Sequence, residues 1–389
     1  MRKSLAQDFV AAAAALAPQI REARDELETA RRMPASLASA LAQAGMFQLG
    51  LPRSMGGPET DPLTSFRAIE ELSRVDGSVG WCAMLSSGGS IFAGWLQAEV
   101  GRSLFGQPPD VRMAGSIRPE GRAISADGGY RVIGRWDYAS GIDHANWLLC
   151  MCKVEDENGP RLTPEGAPET RMLLVPIGAV TVHDTWDVVG MRGTGSNDFV
   201  VDDVFVPMER TFSLSEPPQE AGPLYHPRLA LVAPFLGASA NLLGMARGAM
   251  DCFVELATQS GSTMSTTLLR DRPLVQTKVA EAEATIGAAR AYVLDAVGTA
   301  WQAVCDDVPD PSSEIAQARL AITHGMWASV EAVDLLFHAA GTNAIHRKYP
   351  LERFFRDIHV AVQHVAGLPA NLESAGQALL GLRPTGPGW

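Results

Sequence analysis

The chain has 389 residues, of which 46% are hydrophobic and 20% are charged, and its formal net charge at pH 7 is -12. This length and apolar content allow two or three packed units and exclude an intrinsically disordered chain. The negative charge argues against nucleic acid or an anionic membrane surface as a partner. The five cysteines are too few and too scattered for a disulfide framework.

Residues 1–110 are predicted to form an N-terminal helical domain, because alanine and leucine recur there at three- and four-residue spacing. Gln7 and Asp8 interrupt the apolar start, and Arg21 and Arg24 continue the helical pattern without a cleavage-like break. These features favour an amphipathic first helix over an export signal. No stretch reaches the roughly 20 apolar residues that a membrane span requires, so we expect a cytoplasmic protein.

Residues 111–213 have a different pattern. Short runs of β-branched and aromatic residues, such as 130–133, are separated by Gly, Pro and Asp turns. This pattern predicts a central antiparallel β domain. In the run at 147–152, Cys150 and Cys152 would point to the same face of a strand, which favours a buried, reduced pair over redox chemistry.

Residues 214–389 are predicted to be helical after an acidic, proline-rich connector at 215–220. The plan is therefore helix, β, helix, an α+β chain without an internal repeat. The sequence lacks a GxGxxG fingerprint, an HExxH or paired CxxC metal motif and a serine nucleophile elbow. These absences argue against a Rossmann site, a metal site and the standard hydrolases.

Four segments, in this order, resemble the acyl-CoA dehydrogenase superfamily. They are AGMF at 44–47, VVGMRGTGSND at 188–198, GMARGA at 244–249 and PLERFFRDIH at 350–359. The resemblance covers nearly the whole chain. It implies an acyl-CoA dehydrogenase-like fold, with an N-terminal helical domain, a central antiparallel β domain and a C-terminal four-helix bundle that together hold a flavin.

The glutamate with which the dehydrogenases take the substrate α-proton has no counterpart in this chain. Counting from Arg356 and Asp357 places one form of this base at Val365, and counting back from Gly244 places the other near Leu236. Neither valine nor leucine can act as a general base. The resemblance therefore points to the flavin-dependent two-component monooxygenase branch, the group D hydroxylases, which activate oxygen.

In that branch, the serine of a W-x-x-x-S-G segment lies beside the flavin N5, and a C-terminal histidine faces the edge where oxygen adds. The segment matches Trp136 to Gly141, so Ser140 is the predicted N5 contact, and capping of a β-turn is its alternative role. His364 is the predicted proton carrier for formation of the C4a-hydroperoxide, since an imidazole pKa lies near the operating pH. Ser140 and His364 are the predicted catalytic residues, whereas His359 is not expected to share this role.

The resemblance implies further flavin contacts, which are Ser116, Trp136, Ser140, Gly141, His144, Thr194, Ser196, Asn197, Arg270, Gly341 and Thr342. Ser116 could face flavin or substrate, and His144 could instead brace its loop through Asp143. The 194–197 loop could be a plain β-turn. Arg270 or Arg272 would bind the cofactor phosphate unless a surface ion pair engages them. The backbone amides of 341–342 would approach phosphate from a neighbouring subunit.

The sequence therefore predicts the oxygenase component of a two-component flavin-dependent monooxygenase that oxidises a small, aromatic substrate. It would use reduced FMN or FAD from a separate flavin reductase, because no nicotinamide-binding motif is present. A homotetramer is expected from the resemblance. The alternatives are an acyl-CoA dehydrogenase with an unrecognised base and a flavin-free binding protein on the same fold.

One departure from the branch bears on the substrate. Many of its aromatic hydroxylases carry a histidine after a Gly-x-x-Gly-Trp segment, where it meets the substrate hydroxyl. Here the segment ends at Trp81 and is followed by Cys82, with no histidine up to Gly89. An aromatic that needs no such base, such as an indole or a polyketide-like ring, and an amine that undergoes N-hydroxylation are therefore both open.

Overall fold

The computed structural model describes residues 2–107, 109–229, 232–261 and 267–385, with side chains from position 9 onward. The N-terminal part contains α1 (Arg2–Ala15), α2 (Ala17–Glu22), α3 (Arg24–Ala30), α4 (Ala35–Gln43), α5 (Pro62–Val75), α6 (Gly77–Ile91) and α7 (Ala98–Phe105). Helix α6 begins where the Asp76 side chain accepts hydrogen bonds from the backbone N–H groups of Ser78 and Val79. This N-cap fixes the start of a helix that contributes directly to the site described below.

Strands follow from position 113 to position 212. They are β1 (Met113–Ala126), β2 (Gly129–Ala139), β3 (Trp147–Asp156), β4 (Gly159–Pro160), β5 (Thr170–Pro176), β6 (Thr181–His183), β7 (Asn197–Pro207) and β8 (Thr211–Phe212). They form one sheet in the order β6-β7-β2-β1-β3-β5-β8, with β4 paired to β3. Among the described pairs, β1 with β3 is parallel and the others are antiparallel. The sheet is therefore mixed and not purely antiparallel as predicted, because the chain crosses from β2 to the far side of β1.

Alternate residues of the strands enter two separate cores. Met113 and Leu149 belong to one core, and their neighbours Ala114 and Leu148 belong to the other. This is the two-residue periodicity expected of a sheet that is covered on both faces. Cys150 and Cys152 are buried and free, as predicted, and both lie in the second core.

The C-terminal part is helical, with α8 (Val232–Gln259), α9 (Pro273–Cys305), α10 (Ser312–Ala340), α11 (Leu351–Ala361) and α12 (Pro369–Leu379). Helix α8 crosses α5 at close range, because a Cβ on Gly244 would lie 2.4 Å from the carbonyl oxygen of Glu70. One large core therefore joins the N-terminal helices to the C-terminal bundle. The predicted order of helices, sheet and helices is confirmed. Among the described helices, none has both the length and the apolar content needed to cross a bilayer.

Candidate active site

Three buried hydroxyl groups lie in contact between the sheet and α6. Ser140 Oγ lies 2.6 Å from Ser196 Oγ, which lies 2.6 Å from Thr194 Oγ1. The Thr194 hydroxyl donates to the Met191 carbonyl at 2.8 Å. At the other end, the indole N–H of Trp81, on α6, donates to Ser140 Oγ at 3.2 Å. The three side chains are at most 6% exposed, so these bonds form in a largely dry environment.

The two ends of this hydroxyl chain determine its direction. An indole N–H can only donate and a carbonyl can only accept. Thr194 therefore uses its proton on Met191, Ser196 donates to Thr194, and Ser140 donates to Ser196. The Ser140 oxygen accepts the Trp81 N–H and keeps one further lone pair. The chain thus presents Ser140 as a hydrogen-bond acceptor, which suits an N–H group of a ligand.

The backbone at the end of β2 places Ser140 in this position. The pairing of β2 with β7 shifts register between Trp136 and Ala139, and Tyr138 has a φ of 61°. Gly141 follows with a φ of 77° and donates its N–H to the Thr194 carbonyl at 2.8 Å. The positive φ at Gly141 favours glycine. The turn therefore ties β2 to the loop that carries the other two hydroxyls.

Trp136 does not join the hydroxyl chain. Its side chain is fully buried in the sheet core, stacked on Phe199 at 5.2 Å between ring centroids, and its N–H donates to the Met151 carbonyl at 3.1 Å. This environment favours a packing role over the predicted cofactor contact. On a regular strand Trp136 would share a face with Ser140, but the irregularity after Trp136 breaks that alternation. Tyr138, which the sequence did not single out, lies two residues before Ser140 in the same motif and is 59% exposed. Its ring meets Trp186 edge to face at 6.2 Å.

His364 lies immediately after α11 and faces Trp81. The two rings meet edge to face at 5.2 Å, and Phe235 approaches the imidazole at 6.2 Å. Burial lowers the pKa of His364 to about 4, so the ring is neutral at pH 7. The expectation that its pKa lies near the operating pH is therefore not met. Its Nδ1 accepts from the Ala366 N–H at 3.3 Å, which leaves the proton on Nε2. His364 therefore offers a neutral N–H donor.

The residues that precede the two positions counted for the missing base lie close together. Phe235 precedes Leu236, His364 precedes Val365, and the Phe235 and His364 rings meet at 6.2 Å between centroids. Both positions are apolar, so neither supplies a carboxylate where a dehydrogenase would need one. Leu236 also lines a small pocket of about 30 Å³ between α5, α6 and α8.

His144 lies behind the Ser140–Gly141 turn. Its ring stacks on Phe47 at 5.1 Å, and a Cβ on Gly141 would lie 3.0 Å from its Nε2. Burial, with a smaller contribution from Arg112, lowers the pKa of His144 to about 4. Among the described residues, its buried Nδ1 has no hydrogen-bond partner, so it can accept from a ligand or a water. Within the described part of the chain, no hydrogen bond joins His144 to Asp143, so the predicted bracing of the loop through Asp143 is not seen.

The side chains of Ser116 and Asn197 have local partners. Asn197 Oδ1 accepts the backbone N–H groups of Thr185 and Trp186 at 3.1 and 3.0 Å, so it holds the neighbouring loop. Ser116 lies on β1, and its Oγ accepts the Arg118 N–H at 3.3 Å. Its side chain is half-buried at the point where the β1–β3 register shifts.

A separate surface groove of about 900 Å³ runs between α9 and α10. Gly341, Thr342 and Arg272 line it together, with Trp327 on its wall. Arg270 is not among its lining residues; its guanidinium is exposed, 3.8 Å from Asp271. Of the two arginines predicted as phosphate contacts, Arg272 therefore lies in the same groove as Gly341 and Thr342.

The chain is similar to known proteins over most of its length. Residues 2–101 match the family model of the acyl-CoA dehydrogenase N-terminal domain, and residues 236–367 match that of the acyl-CoA dehydrogenase C-terminal domain. The flavin-dependent monooxygenase oxygenase subunit HsaA of Mycobacterium tuberculosis is 31% identical over 94% of this chain and 93% of the relative. The indole-3-acetate monooxygenase of Acinetobacter baumannii is 31% identical over 99% of this chain and 97% of the relative.

A solved structure has the same fold as this chain. The solved structure of XiaF from Streptomyces sp. in complex with FADH2 and glycerol superposes with a TM-score of 0.90 at 28% identity, covering 99% of this chain and 98% of XiaF. The chain thus belongs to the flavin-dependent monooxygenases that share the acyl-CoA dehydrogenase fold.

Proposed function

We propose that this chain is the oxygenase component of a two-component flavin-dependent monooxygenase, which receives reduced FMN or FAD from a separate reductase and hydroxylates a small aromatic substrate. The observation that carries the proposal is the hydroxyl chain ending at Ser140, with Trp81 joining it to His364. The oxygenase names of the relatives and the apolar residues at both base positions favour this function over an acyl-CoA dehydrogenase.

The residues present fit a reduced flavin. Ser140 has one free acceptor lone pair in a dry site, and the N5–H of a reduced flavin is a donor of matching character. Two residues earlier in the chain, the exposed Tyr138 ring meets Trp186 edge to face at 6.2 Å. When bound, the reduced flavin would supply the electrons that activate dioxygen. His364 would donate its Nε2–H to an oxygen atom, while Trp81 and Phe235 limit the access of water to it.

The residue after Trp81 narrows the substrate class. Cys82 is buried beside the same loop, with Sγ 3.8 Å from the Thr194 carbonyl. Burial raises the pKa of the Cys82 thiol well above its usual range, so the thiol is neutral and cannot deprotonate a phenol. We therefore favour an aromatic substrate whose oxidation needs no base at this position. An electron-rich ring such as an indole meets this requirement.

The oxygen reaction of the purified protein tests the proposal. Reduced FMN and reduced FAD are titrated into the protein without oxygen, and peroxide release is then timed after oxygen is added. Binding of one flavin per chain is expected, with peroxide released at least about tenfold more slowly than from free flavin. Ser140→Ala and His364→Asn should each accelerate the release about tenfold, the effect of losing one hydrogen bond in a dry site.

His359→Asn serves as the matched control. His359 lies on α11, where its ring pairs with Asp334 at 3.0 Å, and its replacement should leave the release rate at the wild-type value. A wild-type protein that binds neither reduced flavin would refute the function and favour a flavin-free protein on this fold. Bleaching of an oxidised-flavin complex by an acyl-CoA would instead establish dehydrogenase chemistry.

The surface groove supports a homotetramer in which a neighbouring subunit binds part of the cofactor. Trp327, which lines it, is 44% exposed. In and around α12, a further set of leucines is 42–78% exposed, namely Leu368, Leu372, Leu379, Leu380 and Leu382. Large exposed apolar side chains of this kind are typical of protein interfaces. Arg272 in this groove could pair with a phosphate that FAD carries and FMN lacks.

We predict that Arg272→Ala weakens the binding of reduced FAD about tenfold more than that of reduced FMN, because one charge-assisted contact to the second phosphate is lost. Arg270→Ala should change neither affinity. Sedimentation of the wild type at several protein concentrations should report four subunits per particle. A monomer that retains full FAD affinity would show that the groove holds no cofactor from a neighbour.

A further inference from the structure

A buried ionic cluster lies between α11 and the N-terminal helices. Arg353, Asp357 and Asp76 are 7%, 1% and 2% exposed. Arg353 Nη2 lies 3.1 Å from Asp76 Oδ2, and Arg353 Nε lies 3.7 Å from Asp357 Oδ2. The Asp76 carboxylate also accepts the first N–H groups of α6. The cluster therefore joins α11 to the start of the helix that carries Trp81.

The loop at 189–191 sits directly on α11. Arg356 Nη1 donates to the Val189 carbonyl at 2.6 Å, and the Asp357 carboxylate accepts the Met191 N–H. Between these bonds, a Cβ on Gly190 would lie only 2.4 Å from the Arg356 carbonyl oxygen. No larger residue fits there without moving the loop, so the contact between loop and helix is tightly specified.

Met191 is also the residue where the hydroxyl chain ends. The Asp357 carboxylate accepts the Met191 N–H, and the Met191 carbonyl accepts the Thr194 hydroxyl at 2.8 Å. A displaced Met191 would remove the acceptor that orients Thr194. The directions of the Ser196 and Ser140 hydroxyls would then no longer be fixed, because each depends on the one before it.

We propose that Asp357 is a positioning residue for the Ser140 hydroxyl. By holding Met191, it fixes the acceptor end of the chain and keeps the free Ser140 lone pair available to a ligand N–H. The ionic cluster fixes the start of α6 in the same way, and with it the Trp81 donor at the other end. This inference rests on the proposed function, in which Ser140 accepts a hydrogen bond from the reduced flavin.

Hydrogen exchange of the flavin-free protein tests the structural half of the inference. In Asp357→Asn, the amide cannot both accept from Met191 and face Arg353 without placing N–H groups against a donor. Exchange in the segment 186–199 should rise about tenfold. Glu283→Gln, which removes a carboxylate from the exposed bidentate pair with Arg247, should leave this segment unchanged. Wild-type exchange in Asp357→Asn would overturn the inference.

A double-mutant cycle tests whether Asp357 acts through the hydroxyl chain. Peroxide release after oxygen addition is timed for the proteins loaded with reduced FMN, or with reduced FAD if only that binds. Asp357→Asn and Ser196→Ala should each accelerate release. The double variant should match Ser196→Ala alone, because without the Ser196 hydroxyl the chain no longer connects Met191 to Ser140. Accelerations that multiply would mean that Asp357 acts independently of the chain, which overturns the inference.

Gly190→Ala provides a second route if Asp357→Asn does not fold. It pushes the loop off α11 and leaves the carboxylate in place, and the same exchange and release results are expected. Failure of the wild type to bind reduced flavin would refute the proposed function and the inference together. Normal flavin binding with wild-type release rates in both variants would refute the inference alone.

Discussion

At the scale of single residues, hydrogen-bond direction and burial define the site more than residue type does. Ser140 is an acceptor because Trp81 donates to it on one side and Ser196 accepts from it on the other. His364 is a neutral donor because burial lowers its pKa and Ala366 occupies its Nδ1. A serine and a histidine in a motif have neither property by themselves.

The two aromatic residues before Ser140 should respond differently to substitution. Trp136→Phe removes a buried N–H bond and part of the packing on Phe199. It should lower the free energy of unfolding by about 1–3 kcal/mol and leave the flavin affinity unchanged. Tyr138→Ala should weaken reduced-flavin binding severalfold without loss of stability, since the ring is exposed. Urea unfolding measures the stability of each variant, and titration measures its affinity for reduced flavin. Weaker flavin binding by Trp136→Phe at unchanged stability would show that Trp136 contacts the cofactor.

At the scale of elements, glycines and caps determine how closely the helices and loops approach each other. Asp76 begins α6, Gly141 turns the chain after β2, and Gly244 lets α8 approach α5. The sequence patterns gave the order of the helical and β regions in which these elements lie. They could not give the register shift at the end of β2, because strand periodicity assumes an unbroken ladder.

Two glycine-to-alanine changes in the bundle should have opposite effects. At Gly244, a Cβ would lie 2.4 Å from the Glu70 carbonyl oxygen and 2.7 Å from Ser73 Cβ, so α8 must move. Gly244→Ala should lower the free energy of unfolding by about 1–3 kcal/mol. At Gly287, on α9, an added Cβ would meet no neighbouring atom of the described residues within 4 Å. Gly287→Ala should raise stability by up to about 1 kcal/mol through helix propensity. Thermal and urea unfolding measure the stability of both variants. Equal changes in the free energy of unfolding would contradict the close crossing of α8 and α5.

At the scale of the whole molecule, the site exists only where three parts of the chain meet. The N-terminal helices supply Trp81, the loops at the ends of β2 and β7 supply Ser140, Thr194 and Ser196, and the segment after α11 supplies His364. Burial between these parts is what perturbs the titrating groups, so their effect should be visible in the pH dependence of folding.

His364 should make the protein less stable in mild acid. Its pKa is about 4 in the folded protein and about 6.5 when unfolded. Between these values the unfolded chain binds a proton that the folded protein does not. The contribution to stability is therefore complete above pH 6.5 and is lost as the pH falls to about 4. His364→Gln should lose less stability than the wild type between pH 7.5 and 4.5 in urea unfolding. Parallel curves for the two proteins would show that the imidazole is not desolvated.

Three properties could be read from the amino-acid sequence alone: the order of helices, sheet and helices, the resemblance to the flavin-dependent monooxygenases and the absence of a carboxylate at both base positions. They follow from local periodicity and from residue identity at counted positions, which need no knowledge of contacts. The folded structure was needed to show that Trp136 packs in the sheet core, that Arg272 rather than Arg270 joins Gly341 and Thr342, and that His364 is neutral. Side-chain direction and desolvation depend on residues far apart in the chain, and a single sequence does not specify those neighbours.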